Sequence, residues 1–403
     1  MRSKVVIIGH SFLSRLSIIR SVAKIGCEVT VIVTGVVNRQ RFWKPIDCYS
    51  KYVSYVYYCS RNNLEFLIGL LETRCSDLNQ RTVIIPDGDD VVAVIDNHKE
   101  KLEERFLFPH IIKNPSSCVF WMDKTNQKRL AESEGLNVAK GVVIDVEEGH
   151  YSIPDSIQYP CYCKPLATMN GGKGGMRRCE TPQELKNAID YIIQYRTKTV
   201  KVLVEDYMEI DTEYALLGFS DGKEVIIPAI LQFLVASKKN KGIALQGKVM
   251  PITGFEELVS KFKSFVLKMG FVGLFDIDFY KSGGKFYFCE MNLRFGGSGY
   301  AITKSGVNLP AMMVKSFYGD SIEGMDTAIH TVSTYVNERM CLDDWNGGFI
   351  TRKEFNCFIA EADFGFIPDP MDTKPQVAYR KMIMRRTLIN GIKRMIGKSL
   401  FFR

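Results

Sequence analysis

The chain has 403 residues, 46% of them hydrophobic and 24% charged, which is the balance of a globular protein of two or three domains. Its net charge of +8 is unevenly placed: nine of the 53 basic residues and none of the 45 acids fall after Asp372, leaving 44 bases against 45 acids in residues 1–372. A near-neutral body gives no footing for nucleic acid as a partner, and no apolar run approaches the roughly 20 residues needed to cross a bilayer.

Residues 4–9 (KVVIIG) read as a short buried strand, and 14–24 carry apolar residues at helical spacing up to the stop at Gly26. Residues 28–34 (EVTVIVT) form a second strand, so the opening is a βαβ unit and implies a parallel sheet. Residues 82–86 (TVIIP) add another buried strand that runs into the polar loop DGDD. The chain to about residue 112 therefore reads as a doubly wound α/β domain. A dinucleotide site would need G-x-G-x-x-G after the first strand. The turn here is GHSFLS, with a single glycine, and cannot approach a pyrophosphate closely. The loops His10-Ser11 and Asp87–Asp90 should open at the carboxyl ends of the strands, where a substrate would bind.

From Asp123 the texture changes. Residues 124–134 look helical and end at Gly135. Residues 162–164 end a strand that enters a glycine-rich loop, in which NGGKGG holds four glycines in six residues. Successive N–H groups in such a loop form a nest for phosphate oxygens, and only glycine permits the close approach. A helix over 181–194 opens with Thr181 as N-cap, Pro182 next and Glu184 completing a capping box. Residues 201–208 (KVLVEDYM) form a strand whose acidic end can meet a purine edge through backbone groups, and Glu213 can accept from ribose hydroxyls. Residues 214–219 and 224–234 follow as antiparallel strands, and a helix is expected over 255–269.

Residues 275–296, FDIDFYKSGGKFYFCEMNLRFG, read as a hairpin turning at Gly283 and Gly284. Pairing Asp278 with Glu290 and Asp276 with Asn292 brings acids together on one face. Facing carboxylates repel, and Mg²⁺ with oxygen ligands would offset the repulsion while holding phosphate oxygens on its other positions. A polar, solvated face is the plainer alternative.

The order of these features resembles the ATP-grasp superfamily, in the branch containing biotin carboxylase and the large subunit of carbamoyl phosphate synthetase. The resembling segments are Asp123-Lys124, YPCYCKPLATMNGGKGGMRR, VLVEDYM with Glu213, and GLFDIDFYKSGGKFYFCEMNLRFGG, across roughly residues 115–315. The fold it implies is α/β: a doubly wound parallel domain over 1–112, then a two-lobed core with antiparallel sheets over 113–372. The small lobe would cover about 120–200 and the large lobe 201–372, followed by a basic tail over 373–403. The resemblance implies ATP and two Mg²⁺ ions as cofactors, with Mn²⁺ an alternative to magnesium. Lys124 and Lys164 would contact phosphates, and Gly171, Gly172, Lys173, Gly174 and Gly175 would form a lid over them. Glu205 and the backbone of Tyr207 and Met208 would meet adenine, and Glu213 the ribose. Asp278, Glu290 and Asn292 would hold the metal, and Arg294 with Lys164 would act on the transferred phosphoryl group. Family members commonly carry Glu where this chain has Asp278. Asp keeps the charge with a shorter reach, and Asp276 is placed to share the role.

The reaction so implied is ATP-dependent joining of a small carboxylate to an amine through an acylphosphate, on an amino-acid-derived or cell-envelope precursor. A bicarbonate-activating carboxylase and a nucleotide-binding regulator without catalysis are the competing readings. A homodimer is compatible with all three. Eleven cysteines without a CxxC pair, and no apolar leader in MRSKVVIIGHSF, read as reduced thiols in the cytoplasm. The tail, residues 379–403, spaces apolar residues three to four apart with bases on the other face. It reads either as an interfacial helix on the inner face of an anionic membrane or as a helix docked on the body.

Overall fold

The computed structural model describes residues 2–35, 44–60, 64–166, 176–195, 199–240 and 242–385. Five parallel strands form the first sheet in the order Val53–Cys59, Glu28–Thr34, Lys4–Gly9, Thr82–Pro86, Phe106–Leu107. Three of these strands occupy the residues expected from sequence. Their Val and Ile side chains are buried on both faces, as a sheet covered by helices on both sides requires. The strand order reverses between Lys4–Gly9 and Thr82–Pro86, so a crevice opens at their carboxyl ends. There Gly9 and Asp87 lie so close that a Cβ on Gly9 would sit 2.6 Å from the Asp87 Cβ.

A second, four-stranded sheet is antiparallel throughout, in the order Arg177–Cys179, Cys161–Pro165, Val200–Asp206, Gly141–Val146. Helix Pro182–Tyr195 buries Leu185, Ala188, Ile189 and Ile192 against it. Thr181 Oγ1 accepts from the Glu184 N–H (3.2 Å), but the Glu184 carboxylate accepts from Glu180 N–H (2.7 Å). The expected capping box thus closes one residue early.

The third sheet has ten strands, with Thr212–Asp221 and the hairpin Phe271–Ser282/Lys285–Asn292 near its centre. Its two faces have different partners because side chains alternate along each strand. Phe275, Ile277 and Phe279 face helices Lys124–Ser133 and Glu256–Met269. The other face joins the first sheet in one continuous core through Leu217, Leu274, Phe295, Tyr300 and helix Phe12–Ala23. The strand expected over 224–234 is divided into Val225–Ile226 and Ile230–Ala236, with Pro228, which lacks an N–H donor, in the break.

The segment after residue 363 returns to the first domain. Buried Arg20 of helix Phe12–Ala23 donates to Asp372 Oδ2 (3.0 Å), to the carbonyls of Phe366 (3.1 Å) and Ile367 (3.0 Å), and to that of Asp372 (3.1 Å). Residues 374–385 are helical, and buried Tyr379 donates its hydroxyl to Glu338 O (3.1 Å). The expected basic tail therefore begins docked on the body, and its remainder, 386–403, lies outside the described residues. None of the described helices is long and apolar enough to cross a membrane. All eleven cysteines are unbridged.

The carboxylate of Glu338 is buried and accepts the Phe366 N–H (3.0 Å), and burial pushes it up from 4.5 to about 7. The folded chain then holds this proton more tightly than the unfolded chain between those values. Stability is therefore full below about pH 4.5 and falls by about 3 kcal/mol as pH rises through 7. In Glu338→Gln this contribution should vanish: its melting temperature relative to wild type should rise steadily from pH 5 to pH 8. A constant difference across that range would contradict the assignment.

Candidate active site

The hairpin turns through Gly283 and Gly284, both left-handed (φ +53° and +80°), with Ser282 opposite Lys285. Lys281–Phe286, Tyr280–Tyr287 and Phe279–Phe288 follow in register. Cys289 is then an extra residue, a β-bulge, beyond which Asp278 faces Glu290 and Asp276 faces Asn292. The glycine turn and the acidic pairs expected from sequence do not fit one continuous register. The bulge reconciles them.

The repulsion between Asp278 and Glu290 is relieved here by Lys124, whose Nζ pairs with Glu290. Burial alone would lower the Lys124 pKa, but Glu290, with Cys289 and Asp278 close by, raises it above the usual lysine value. Lys124 opens helix Lys124–Ser133, whose N-cap Asp123 accepts from Thr125 N–H (2.7 Å). Buried Gln127 locks that helix to the hairpin. Its amide donates to Met291 O (2.8 Å) and Trp121 O (2.7 Å), and its carbonyl oxygen accepts Met291 N–H (2.8 Å). Met291 lies between Glu290 and Asn292, so Gln127 sets the distance from the helix to both.

A second charged cluster lies beside the first. Glu205, near the end of strand Val200–Asp206, places one carboxylate oxygen 2.5 Å from Lys164 Nζ and the other against Lys128 Nζ. Lys128 also donates to Ala139 O (3.3 Å). All three residues are nearly buried, at 6%, 5% and 8% exposure. Burial, with Lys164 and Lys124 near, pushes Lys128 down to about 7, and burial lowers Lys164 as well. The Glu205 carboxylate is thus paired with two lysines. Tyr207 N–H donates to Pro160 O (3.1 Å), and the Arg178 guanidinium lies 4.1 Å over the Tyr207 ring. Met208 follows directly. Glu213 stands opposite Tyr280, and burial, with Cys289 and Glu213 near, raises the Tyr162 hydroxyl.

Arg294 closes the far end. Its Nε donates to Asp89 Oδ1 (2.7 Å) and its Nη2 to Asn292 Oδ1 (3.3 Å). Asp89 begins the helix Asp89–Asn97 after strand Thr82–Pro86, so the crevice of the first sheet meets the hairpin at this contact. Burial pushes Asp276 up to about 7 against the pull of Arg294, and its Oδ1 has no hydrogen-bond partner among the described residues. Asp87 is likewise pushed up to about 7 by burial, and its Oδ2 accepts Ser11 N–H (3.0 Å).

Lys124, Lys164, Glu205, Asp278, Glu290, Asn292 and Arg294 therefore gather at one cleft, with Glu213, Tyr207 and Met208 at its side. Gly171, Gly172, Lys173, Gly174 and Gly175 lie outside the described residues. Sequence reasoning missed Lys128, Gln127 and the bulge at Cys289, and placed Asp89 at the crevice without its partner Arg294. Lys128 alone carried a visible signal, one helical turn after Lys124. Among the described residues no three His, Cys, Asp or Glu side chains group as a metal nest. Two carboxylates and an amide fit a hard cation whose coordination is completed by phosphate oxygens.

Residues 129–308 match the ATP-grasp domain model. The chain is similar to the D-aspartate ligase of Enterococcus faecium, 24% identical over 260 residues that cover 61% of each chain. It is also similar to the formate-dependent phosphoribosylglycinamide formyltransferase of Bacillus velezensis, 26% identical over 219 residues, 53% of this chain and 54% of the other. The chain thus spans about half to three fifths of the length of these curated relatives. In fold it is similar to the biotin carboxylase domain of the 2-oxoglutarate carboxylase of Hydrogenobacter thermophilus, a dimer in complex with MgADP, ADP and bicarbonate. The TM-score is 0.63 at 17% identity, over 83% of this chain and 74% of that one.

The seat of Asp276 depends on Gly296. A Cβ on Gly296 would lie 2.0 Å from Asp276 Oδ2, whereas one on Gly297 would meet nothing within 4 Å. Gly296→Ala should cost about 1–3 kcal/mol in thermal or urea unfolding, and Gly297→Ala less than about 0.5 kcal/mol. Equal effects would show that Asp276 is not seated as described.

Proposed function

This chain carries an ATP-grasp domain over residues 129–308, and from that premise we propose that it is an ATP- and Mg²⁺-dependent ligase that activates a small carboxylic acid as an acylphosphate and joins it to an amine. The observation that supports this best is the pairing of the cleft's cations with acids of the same chain: Lys124 with Glu290, Lys164 with Glu205, Arg294 with Asp89. Such pairs can be exchanged for phosphate oxygens without leaving a buried cation alone.

Magnesium bound with nucleotide would neutralise phosphate charge and polarise the transferred group. Asp278, Glu290 and Asn292 would hold it. Lys124 would turn from Glu290, and Lys164 from Glu205, to the phosphates. ATP carries roughly −4, two Mg²⁺ about +4, the two carboxylates roughly −2 and the two lysines with Arg294 about +3, so the loaded site comes close to neutral. In the first step an oxygen of the substrate carboxylate bonds to the γ-phosphorus as the bond to ADP breaks. In the second, the amine nitrogen bonds to the acyl carbon, phosphate leaves, and the amine loses its proton. Water must be kept away between the two steps, a task for residues 171–175. The relatives' names speak of aspartate and of formate, both carboxylates, which supports a carboxylic acid as first substrate. A second reading, activation of bicarbonate, is favoured by the likeness to a biotin carboxylase domain in complex with bicarbonate.

ADP release should be screened against amino acids, small carboxylic acids and bicarbonate, each with and without an amine. The expected result is ADP release that needs an acid, an amine and Mg²⁺. A response to bicarbonate without amine selects the second reading, and tight nucleotide binding with no turnover for any substrate would make the protein a nucleotide sensor. Glu290→Gln should keep the fold by circular dichroism and lower turnover by about a hundredfold or more. Unchanged Mg²⁺-dependent ADP release from that variant would remove Glu290 from the metal site.

A further inference from the structure

We propose that Lys128 is a positioning residue of the nucleotide site: it keeps the Glu205 carboxylate satisfied so that Lys164 can turn from that carboxylate to the phosphates. The inference rests on the ligase reading above and goes beyond it, to a residue just outside the ATP-grasp match, which begins at residue 129.

One carboxylate serves two ammonium groups, with all three side chains almost removed from water. If Lys164 were the sole partner, its departure would strand an ionised carboxylate in a dry pocket, and the pair would resist opening. Lys128 on the other oxygen removes that obstacle. It is well placed to stay behind. It stands one helical turn from Lys124 on the same helix face, that helix is locked to the hairpin through Gln127, and its Nζ has a second tether at Ala139 O. Burial, with Lys164 and Lys124 near, pushes Lys128 down to about 7, and with two cations against one acid an incoming phosphate would be welcome.

The neighbouring pair shows the contrast. Lys124 pairs with Glu290, an acid that the ligase reading assigns to the metal. When Lys124 leaves, Glu290 gains the metal ion. Glu205 stands on the small sheet and is not among the acids assigned to the metal, so its replacement partner has to be built into the chain. Lys128 is that partner.

The test is equilibrium binding of a fluorescent MgADP analogue to the full chain as wild type, K128M, K128R, E205Q and K128M/E205Q. K128M should bind roughly tenfold more weakly, because Glu205 then retains Lys164. K128R should stay within about threefold of wild type, since it keeps the charge. The double variant should bind more tightly than K128M alone, because no carboxylate remains to hold Lys164. A lysine that merely supported the fold would not be rescued by E205Q; the two losses would add. K128M binding as wild type, or a double variant weaker than K128M, overturns the proposal. Should K128M fail to fold by circular dichroism, K128Q, which keeps a donor without the charge, takes its place with the same expected outcomes. A wild-type chain that does not bind MgADP overturns the ligase reading instead, so the two failures are told apart.

Discussion

A cleft that accepts a polyphosphate needs cations, and a folded chain cannot leave cations buried and alone. Both demands are met here by internal carboxylates. Lys124 rests on Glu290, Lys164 on Glu205 and Arg294 on Asp89. The acids on the hairpin face are tolerated for the same reason, since Asp278 and Glu290 stand directly opposed and Lys124 supplies the compensating charge. The site is thus a set of ion pairs rather than a positive hole.

Those pairs form only if the side chains keep their distances, and the backbone around them shows how that is arranged. The bulge at Cys289 shifts the register so that the apolar pairs near the turn and the acidic pairs at the site each find the correct face. Gln127 bonds both backbone groups of Met291, which ties helix Lys124–Ser133 to the strand that carries Glu290 and Asn292. Gly296 leaves room for the Asp276 carboxylate where any Cβ would collide. None of these three residues carries charge, and each decides where a charge sits.

Much of this was legible in the sequence. The strands of the first sheet follow from runs of Val and Ile, and the face of the hairpin follows from strict alternation of acid and apolar residue at 275–279. The acidic pairs could be written down from spacing alone. The bulge could not, because a single inserted residue leaves the hydrophobic pattern on either side intact. The partners of the site cations were also hidden. Asp89 lies 205 residues from Arg294 and Glu205 lies 77 from Lys128, and sequence spacing is silent about contacts made by tertiary packing. The second lysine of helix Lys124–Ser133 reads as an ordinary solvated base until the fold buries it.

The Arg294–Asp89 contact has a consequence for how the first sheet and the hairpin work together. Asp89 starts a helix whose preceding strand forms one wall of the crevice, so the rim of the crevice is what holds Arg294. Because the first sheet and the large sheet share one core, and Arg20 fastens the returning C-terminal segment to the helix behind that crevice, the two walls are fixed relative to each other. The contact between them is made by side chains: Asp89 at the rim of the crevice and Asn292 of the hairpin share one guanidinium. Arg294 thereby ties the crevice of the first sheet to the acids of the hairpin through a single side chain.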